Sequence, residues 1–293
     1  MGKRQSDAGL PREVIVITTY AQLDLYLAKF SAGELGLMLL LGRHGTGKSE
    51  GVRRFLGVAA PANACSEAAE RKVLYVEGHM QPFGLYRNLW DYRNCPIVMD
   101  DLDRLYANAD CVRLLKPVCN TQQAKRVMWL TNLTINDSVV PASFTTTSNV
   151  ILIANEWRTV NPNVRALEDR AIILHFAPSN AEIHRRVGEW FQDYEVYAFI
   201  ADHLPSISEL SMRHYCKGSQ LRRAGLPDWQ SSLLQMVFPD PRMACVAALH
   251  NEPALCSEEE RVVRFARATG HSRATYFRMK ARLAILRTIE GTG

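Results

Sequence analysis

The stretch "LLLGRHGTGKSEGVRRFL", residues 39–56, decides the fold. An apolar run ends on a glycine, four residues intervene, and Gly47, Lys48 and Ser49 then open a segment with helical spacing. Gly42, Gly47, Lys48 and Ser49 satisfy the pattern G-x-x-x-x-G-K-[ST] with a strand before and a helix after, the context that pattern requires. Chemistry accounts for each residue type. Glycines let consecutive backbone N–H groups turn inward around an anion, and the start of the helix adds its positive dipole. The lysine reaches outer phosphates and the serine offers an oxygen to Mg2+. Gly42, Gly45, Thr46, Gly47, Lys48, Ser49 and Glu50 are therefore expected to line a nucleotide. His44 sits at a loop position that accepts many side chains and receives no special role.

Further strand-length apolar runs recur on both sides of this stretch: "KVLYVEG" (72–78), "PIVMDD" (96–101), "NVILIAN" (149–155) and "AIILHF" (171–176). Runs apolar on both faces and separated by long connections read as central strands of a parallel sheet with helices on both sides, an α/β fold. From Pro178 the texture becomes helical, with Ser and Asp residues placed as N-caps. The expected organisation is an α/β nucleotide-binding domain over 1–177, a helical lid over 178–237, and a last piece over 238–293. The proline-bearing "FPDPRM" (238–243) marks the second boundary.

Composition narrows the class. A chain of 293 residues that is 47% hydrophobic and 22% charged supports a buried core and excludes wholesale disorder. Its seven cysteines are scattered, odd in number and without a C-x-x-C pair, so neither a disulfide framework nor a zinc site is supported. A reducing cytoplasm is expected. The N-terminal "VIVI" (14–17) is an apolar run far short of the roughly 20 residues that span a bilayer, so no membrane partner is expected.

A nucleotide-hydrolysing site also needs a carboxylate for the metal at the end of a neighbouring strand, and "CPIVMDDLDRL" (95–105) supplies one. Asp100 is expected to hold Mg2+ and Asp101 to polarise the attacking water, with Asp103 a further candidate for that second role.

With these motifs in place, residues 10–235 resemble the AAA+ ATPases. The second motif is Asp-Asp rather than the family's usual Asp-Glu, as in bacterial replication initiators, helicase loaders and transposition ATPases. The resemblance implies ATP with Mg2+ as ligands. It implies that Asn155 of "VILIANEW" (150–157) orients the water. Arg170 of "NVRALEDRAIILHF" (163–176), with Arg165 in reserve, would act as a finger on a neighbouring subunit's γ-phosphate. Arg213 of "SELSMRHY" (208–215) would come in from the lid. A finger acting in trans implies a homo-oligomer, a ring or filament, and the family setting adds a protein partner in DNA metabolism.

Two segments are candidates for DNA contact. Residues 125–155 read as a hairpin inserted before the Asn155 strand, and related insertions face a pore in AAA+ proteins of the pre-sensor hairpin group and in superfamily III helicases. Lys125, Arg126, Trp129 and Phe144 would then meet phosphates and bases. The same hairpin reads equally as one that packs Trp129 and Phe144 into the core. The second segment, "SEEERVVRFARATGHSRATYFRMKARLAILR" (257–287), reads as a helix capped by Ser257, a turn at Gly270 and a helix capped by Ser272. The inward residues are expected to be Val262, Val263 and Ala266 on the first helix and Ala274, Phe277 and Leu283 on the second.

This arrangement resembles bacterial helix-turn-helix domains. It holds Arg261, Arg264, Arg267, Arg273, Arg278, Lys280, Arg282 and Arg287 against Glu258, Glu259 and Glu260, which matches the whole chain's charge of +5. Ser272, Arg273, Thr275 and Tyr276 are expected at bases, and Arg278 and Lys280 at phosphates. A helical bundle with a basic, solvated face or a protein-docking module remains the alternative. Three functions fit: an ATP-driven remodeler or loader on DNA, a DNA helicase, or a DNA-bound nucleotide switch.

Overall fold

The computed structural model describes residues 13–58, 72–78, 80–100, 108–129, 140–155, 167–238, 240–250, 252 and 257–290, without the side chains of residues 168 and 285–290. The chain divides into two compact units, Met1–Pro178 and Ser179–Gly293.

In the first unit, "LMLLLG" forms β2 (Leu37–Gly42), buried along its whole length, as a run apolar on both faces requires of a central strand. Around it lie β1 (Val14–Ile17), β3 (Leu74–Glu77), β4 (Ile97–Asp100), β7 (Val150–Ala154) and β8 (Ile172–Phe176). The six-stranded sheet has the order β1-β8-β2-β7-β4-β3, and every neighbouring pair is parallel. Parallel neighbours demand crossovers. Among the described residues these include α1 (Tyr20–Ser31), α2 (Lys48–Leu56), α3 (Pro82–Asp91) and α4 (Ala109–Val118).

Local sequence sets these helices. Thr19 and Gln22 form a reciprocal capping box that starts α1, an arrangement whose cap alone contributes about 1 kcal/mol. Leu23, Leu27 and Phe30 then fall on the buried face of that helix. The short apolar "VIVI", too short for a membrane span, is an edge strand on β8, and its Ile15 and Val16 are exposed.

A second, antiparallel sheet pairs β5 (Lys125–Met128) with β6 (Ser143–Thr146). Val127 and Phe144 face inward from it, joining Leu85, Tyr86 and Leu89 of α3 in the core. The expected hairpin arms therefore pair as read.

The second unit is helical: α5 (Asn180–Gly188), α6 (Tyr194–His203), α7 (Met212–Arg223), α8 (Trp229–Val237), α9 (Pro241–His250), α10 (Glu258–Thr269) and α11 (Arg273–Glu290). One apolar cluster runs from Ile183 to Leu283, and Phe238 is buried within it. The segment at 238–243 links α8 to α9 while the helices on either side share that core. α10 and α11 are joined by Gly270, His271 and Ser272, with Gly270 in the left-handed region at φ 70°. Ser257 closes a capping box with Glu260, and the Ser272 hydroxyl accepts from the Thr275 N–H.

The inward face of this pair differs from the expected one. Val262 and Phe265 on α10 and Tyr276, Met279 and Leu283 on α11 are buried, whereas Val263 is 58% exposed and Phe277 is also exposed. The spacing 276, 279, 283 is the helical stripe that packs.

Candidate nucleotide and nucleic-acid sites

Three strand ends meet at the carboxyl edge of the sheet. β7 lies between β2 and β4, with Leu41 opposite Ala154 and Asp100 opposite Ile153. At a strand spacing near 4.8 Å, the loop after Gly42, Asn155 and Asp100 are brought within about 10 Å along that edge. The loop strand β2 has later strands on both sides, which makes this edge the crevice where open α/β sheets take ligands.

The loop's geometry explains its glycines. Gly42 has φ 156°, and a Cβ there would collide with the Phe176 carbonyl oxygen of β8. Gly47, at the start of α2, is left-handed at φ 80°. Tyr20 from α1 pins the turn by donating its hydroxyl to the Thr46 carbonyl at 2.7 Å, and the Thr46 hydroxyl donates to the Arg43 carbonyl at 2.9 Å. Ser49 and Glu50 occupy the first turn of α2.

Lys48 is 4% exposed. Its Nζ donates to the Gly42 carbonyl at 2.5 Å, the Arg43 carbonyl at 2.9 Å and Asn155 Oδ1 at 3.3 Å. The last contact joins residues 107 positions apart, and brings together the sequence-predicted polar groups at the start of α2 and just past the end of β7.

Asp100 at the tip of β4 accepts a hydrogen bond on Oδ2 from the Tyr75 hydroxyl at 2.7 Å. The Arg53 guanidinium lies 4.4 Å from the Tyr75 ring centroid and bonds Glu77 at 2.6 Å. Burial pushes the Tyr75 phenol well above its ordinary range, and the Asp100 bond and charge push it further the same way. Arg53 is also held above its ordinary value. Burial opposes its charge, but the attraction of Tyr75 and Glu77 outweighs that. Sequence reading missed Tyr20, Arg53 and Tyr75: a tyrosine in a strand or at a helix start has the look of packing, and an arginine within a helix that of a solvated face.

Ser49 and Asp100 provide only oxygen donors, and no group of three or more His, Cys, Asp or Glu residues is gathered for a metal among the described residues. That donor set fits Mg2+, which keeps several waters and phosphate oxygens and needs few protein ligands. Asp101, Asp103 and Arg165 lie outside the described residues.

Arg170 is exposed in the short 3-10 turn Glu168–Arg170, just before β8. Since Met38 pairs with Ile172 and Gly42 with Phe176, it stands at the opposite edge of the sheet from the loop, roughly 15–20 Å away at 3.3 Å per residue. Arg213 is exposed in the first turn of α7, where Ser211 caps the helix.

Two expected nucleic-acid contacts are corrected. Lys125 is 4% exposed, and its Nζ donates to the Ser148 carbonyl at 2.6 Å beside Cys119. Burial pulls this lysine below its ordinary value and pushes the Cys119 thiol up to about 12. The lysine is a hairpin strut rather than a surface cation. On the same strands Phe144 packs edge-on to Trp90 at 5.5 Å, and Trp129 sits half-buried against Tyr86. Arg126 does reach the surface.

Tyr276 is fully buried and donates its hydroxyl to Glu258 at 2.6 Å, so it is no reader of bases. Ser272, Arg273, Thr275, Arg278 and Lys280 are all at least partly exposed. Arg273 pairs with Glu259 and Lys280 with Glu258. Arg267 and Arg278 are exposed, and neither has a carboxylate partner among the described residues.

No described helix is long and apolar enough to cross a membrane. No protein-family description matches the chain, and no curated protein matches it. Among solved structures the chain is similar to two point mutants of RuvB from Thermotoga maritima, each at 12% identity. The first covers 85% of this chain and 80% of its own at a TM-score of 0.43. The second covers 86% and 80% at 0.45.

Proposed function

We propose that this chain is an AAA+ ATPase that binds and hydrolyses ATP with Mg2+ and acts in oligomeric form on DNA. Its role would be that of a remodeler or loader in replication, transposition or phage or plasmid DNA metabolism. The observation that carries the reading is the bond between Lys48 and Asn155 across the loop, with Asp100 one strand further along the same edge.

In this reading the backbone N–H groups of Gly45, Thr46 and Gly47 surround the phosphates, and Lys48 exchanges its carbonyl contacts for phosphate oxygens. Ser49 and Asp100 hold Mg2+, which when bound neutralises charge on the transferring phosphoryl group. Asp101 polarises the attacking water and Asn155 orients it. Arg170 stands at the end of β8 away from its own loop, which supports a target on the phosphate of an adjacent subunit, where it would stabilise charge in the transition state. Arg213, exposed in the first turn of α7, is the residue that the AAA+ resemblance offers as the lid's nucleotide-sensing arginine. Positioning dominates such catalysis, because phosphoryl transfer asks the protein for little covalent chemistry.

DNA contact is assigned to Ser272, Arg273, Thr275, Arg278 and Lys280 of the turn and α11, with Arg126 a further phosphate contact. The burial of Lys125 and Phe144 favours a loader over a helicase that grips DNA through this hairpin.

Turnover measured with and without DNA, alongside strand displacement, tests the proposal. DNA-stimulated hydrolysis without unwinding is the expected result. Unwinding would replace it with the helicase reading. Turnover indifferent to DNA, with tight sequence-specific binding, would replace it with a regulator.

A further inference from the structure

Residues that sequence motifs do not mark connect the phosphate-loop helix to the acid at the β4 tip. In the parallel register Tyr75 lies opposite Val98 and Glu77 opposite Asp100, so Tyr75, Glu77 and Asp100 share one face of the sheet. Arg53 reaches that face from α2, the helix that Lys48 begins. Its guanidinium lies over the Tyr75 ring at 4.4 Å and bonds Glu77 at 2.6 Å, while the Tyr75 hydroxyl bonds Asp100 Oδ2 at 2.7 Å.

We propose that Tyr75, held in place by Arg53, is a positioning residue that fixes the Asp100 carboxylate for the metal of the nucleotide site. The inference rests on the ATPase reading above. β4 has β7 on one side and β3 on the other, and it is β3 that brings Tyr75 to the face Asp100 shares. Tyr75 ties one carboxylate oxygen; Oδ1 has no partner among the described residues. A single strong donor selects one side-chain rotamer and leaves the second oxygen to be aimed. The arginine fixes the ring in turn: its planar group stacks on the aromatic face and its charge is tied to Glu77. Partners that orient a metal-binding carboxylate in this way typically change metal affinity or activity about 10- to 100-fold when removed.

The test uses the full chain, a fluorescent ATP analogue and MgCl2. Tyr75→Phe removes one hydroxyl and keeps the ring. The expected result is an unchanged analogue affinity without Mg2+, a Mg2+ half-saturation raised about tenfold in the analogue-binding titration, and kcat lowered by a similar factor. An unchanged Mg2+ half-saturation in the folded variant overturns the proposal. So does an equal loss of affinity with and without Mg2+, which marks a merely structural hydroxyl. If Tyr75→Phe is too unstable to assay, Arg53→Lys keeps the charge toward Glu77, gives up the planar stack, and is read on the same two titrations. The two readings fail differently. A wild-type chain that neither binds the analogue nor hydrolyses ATP sinks the ATPase reading, whereas an active wild type with an indistinguishable Tyr75→Phe sinks only this one.

Discussion

The carboxyl edge of the sheet and the α10–α11 pair both carry charged residues that sequence alone marks as functional, yet they treat those charges in opposite ways. At the sheet edge, groups from distant segments converge: Lys48 meets Asn155, and Asp100 meets Tyr75. Their geometry exists only in the folded chain. In the helix pair, cations are answered locally. Glu258 takes Lys280 and the Tyr276 hydroxyl, Glu259 takes Arg273, and Glu252 takes Arg264. Lys280 and the Tyr276 bond hold the Glu258 carboxyl below its ordinary range. Net charge on a segment therefore overstates the charge it offers a partner. Exposed pairs of this kind are weak, so an anionic partner such as a nucleic-acid phosphate would compete for them readily.

The largest effect that can break this comparison is at the sheet edge. Lys48→Ala should remove nucleotide binding in an equilibrium titration. A variant that retains normal affinity would reduce the loop to an ordinary turn.

Next in size is Arg170→Ala, which should bind nucleotide normally and lose hydrolysis by about a thousandfold. Mixing it with Lys48→Ala subunits should restore part of the turnover, since each supplies what the other lacks. Equal loss of binding in both variants would rule out a finger.

On the helix pair, Arg278→Ala should weaken DNA binding and reduce the salt slope by about one, because Arg278 has no carboxylate partner among the described residues. Arg273→Ala should cost less affinity, since Arg273 has to give up Glu259 before it can meet a phosphate. The reverse order, read by binding isotherms at several salt concentrations, would show that local pairing does not set the available charge. The smallest effect is Tyr276→Phe. It should leave DNA affinity unchanged and lower stability by about 1 kcal/mol in a denaturant titration, through the lost bond to Glu258.

What the sequence disclosed follows from physics of short range. The loop was legible because its glycines answer to local backbone geometry, and the four central strands because burial on both faces leaves a continuous apolar run; β3, read as a fifth, lies at the edge with Glu77 exposed. Strand order was not legible, since nothing local says that β7 inserts between β2 and β4. Tyr75 was hidden for the same reason, its partner being 25 residues away across that order. Lys125 and Tyr276 were misread by weighing chemistry above period. Lys125 alternates with Val127 on one face of its strand, and Tyr276 falls on the stripe with Met279 and Leu283.

Strand β8 touches both ends of the proposed chemistry. Its amino end follows Arg170, while Phe176 at its carboxyl end lies against Gly42 by its backbone and Tyr20 by its ring. In a ring or filament where Arg170 engages a neighbour, this five-residue strand becomes a stiff rod roughly 17 Å long spanning two successive nucleotides. In such an assembly a displacement at the amino end would be passed along the backbone to the carboxyl end, so that neighbouring sites would be coupled through a single strand.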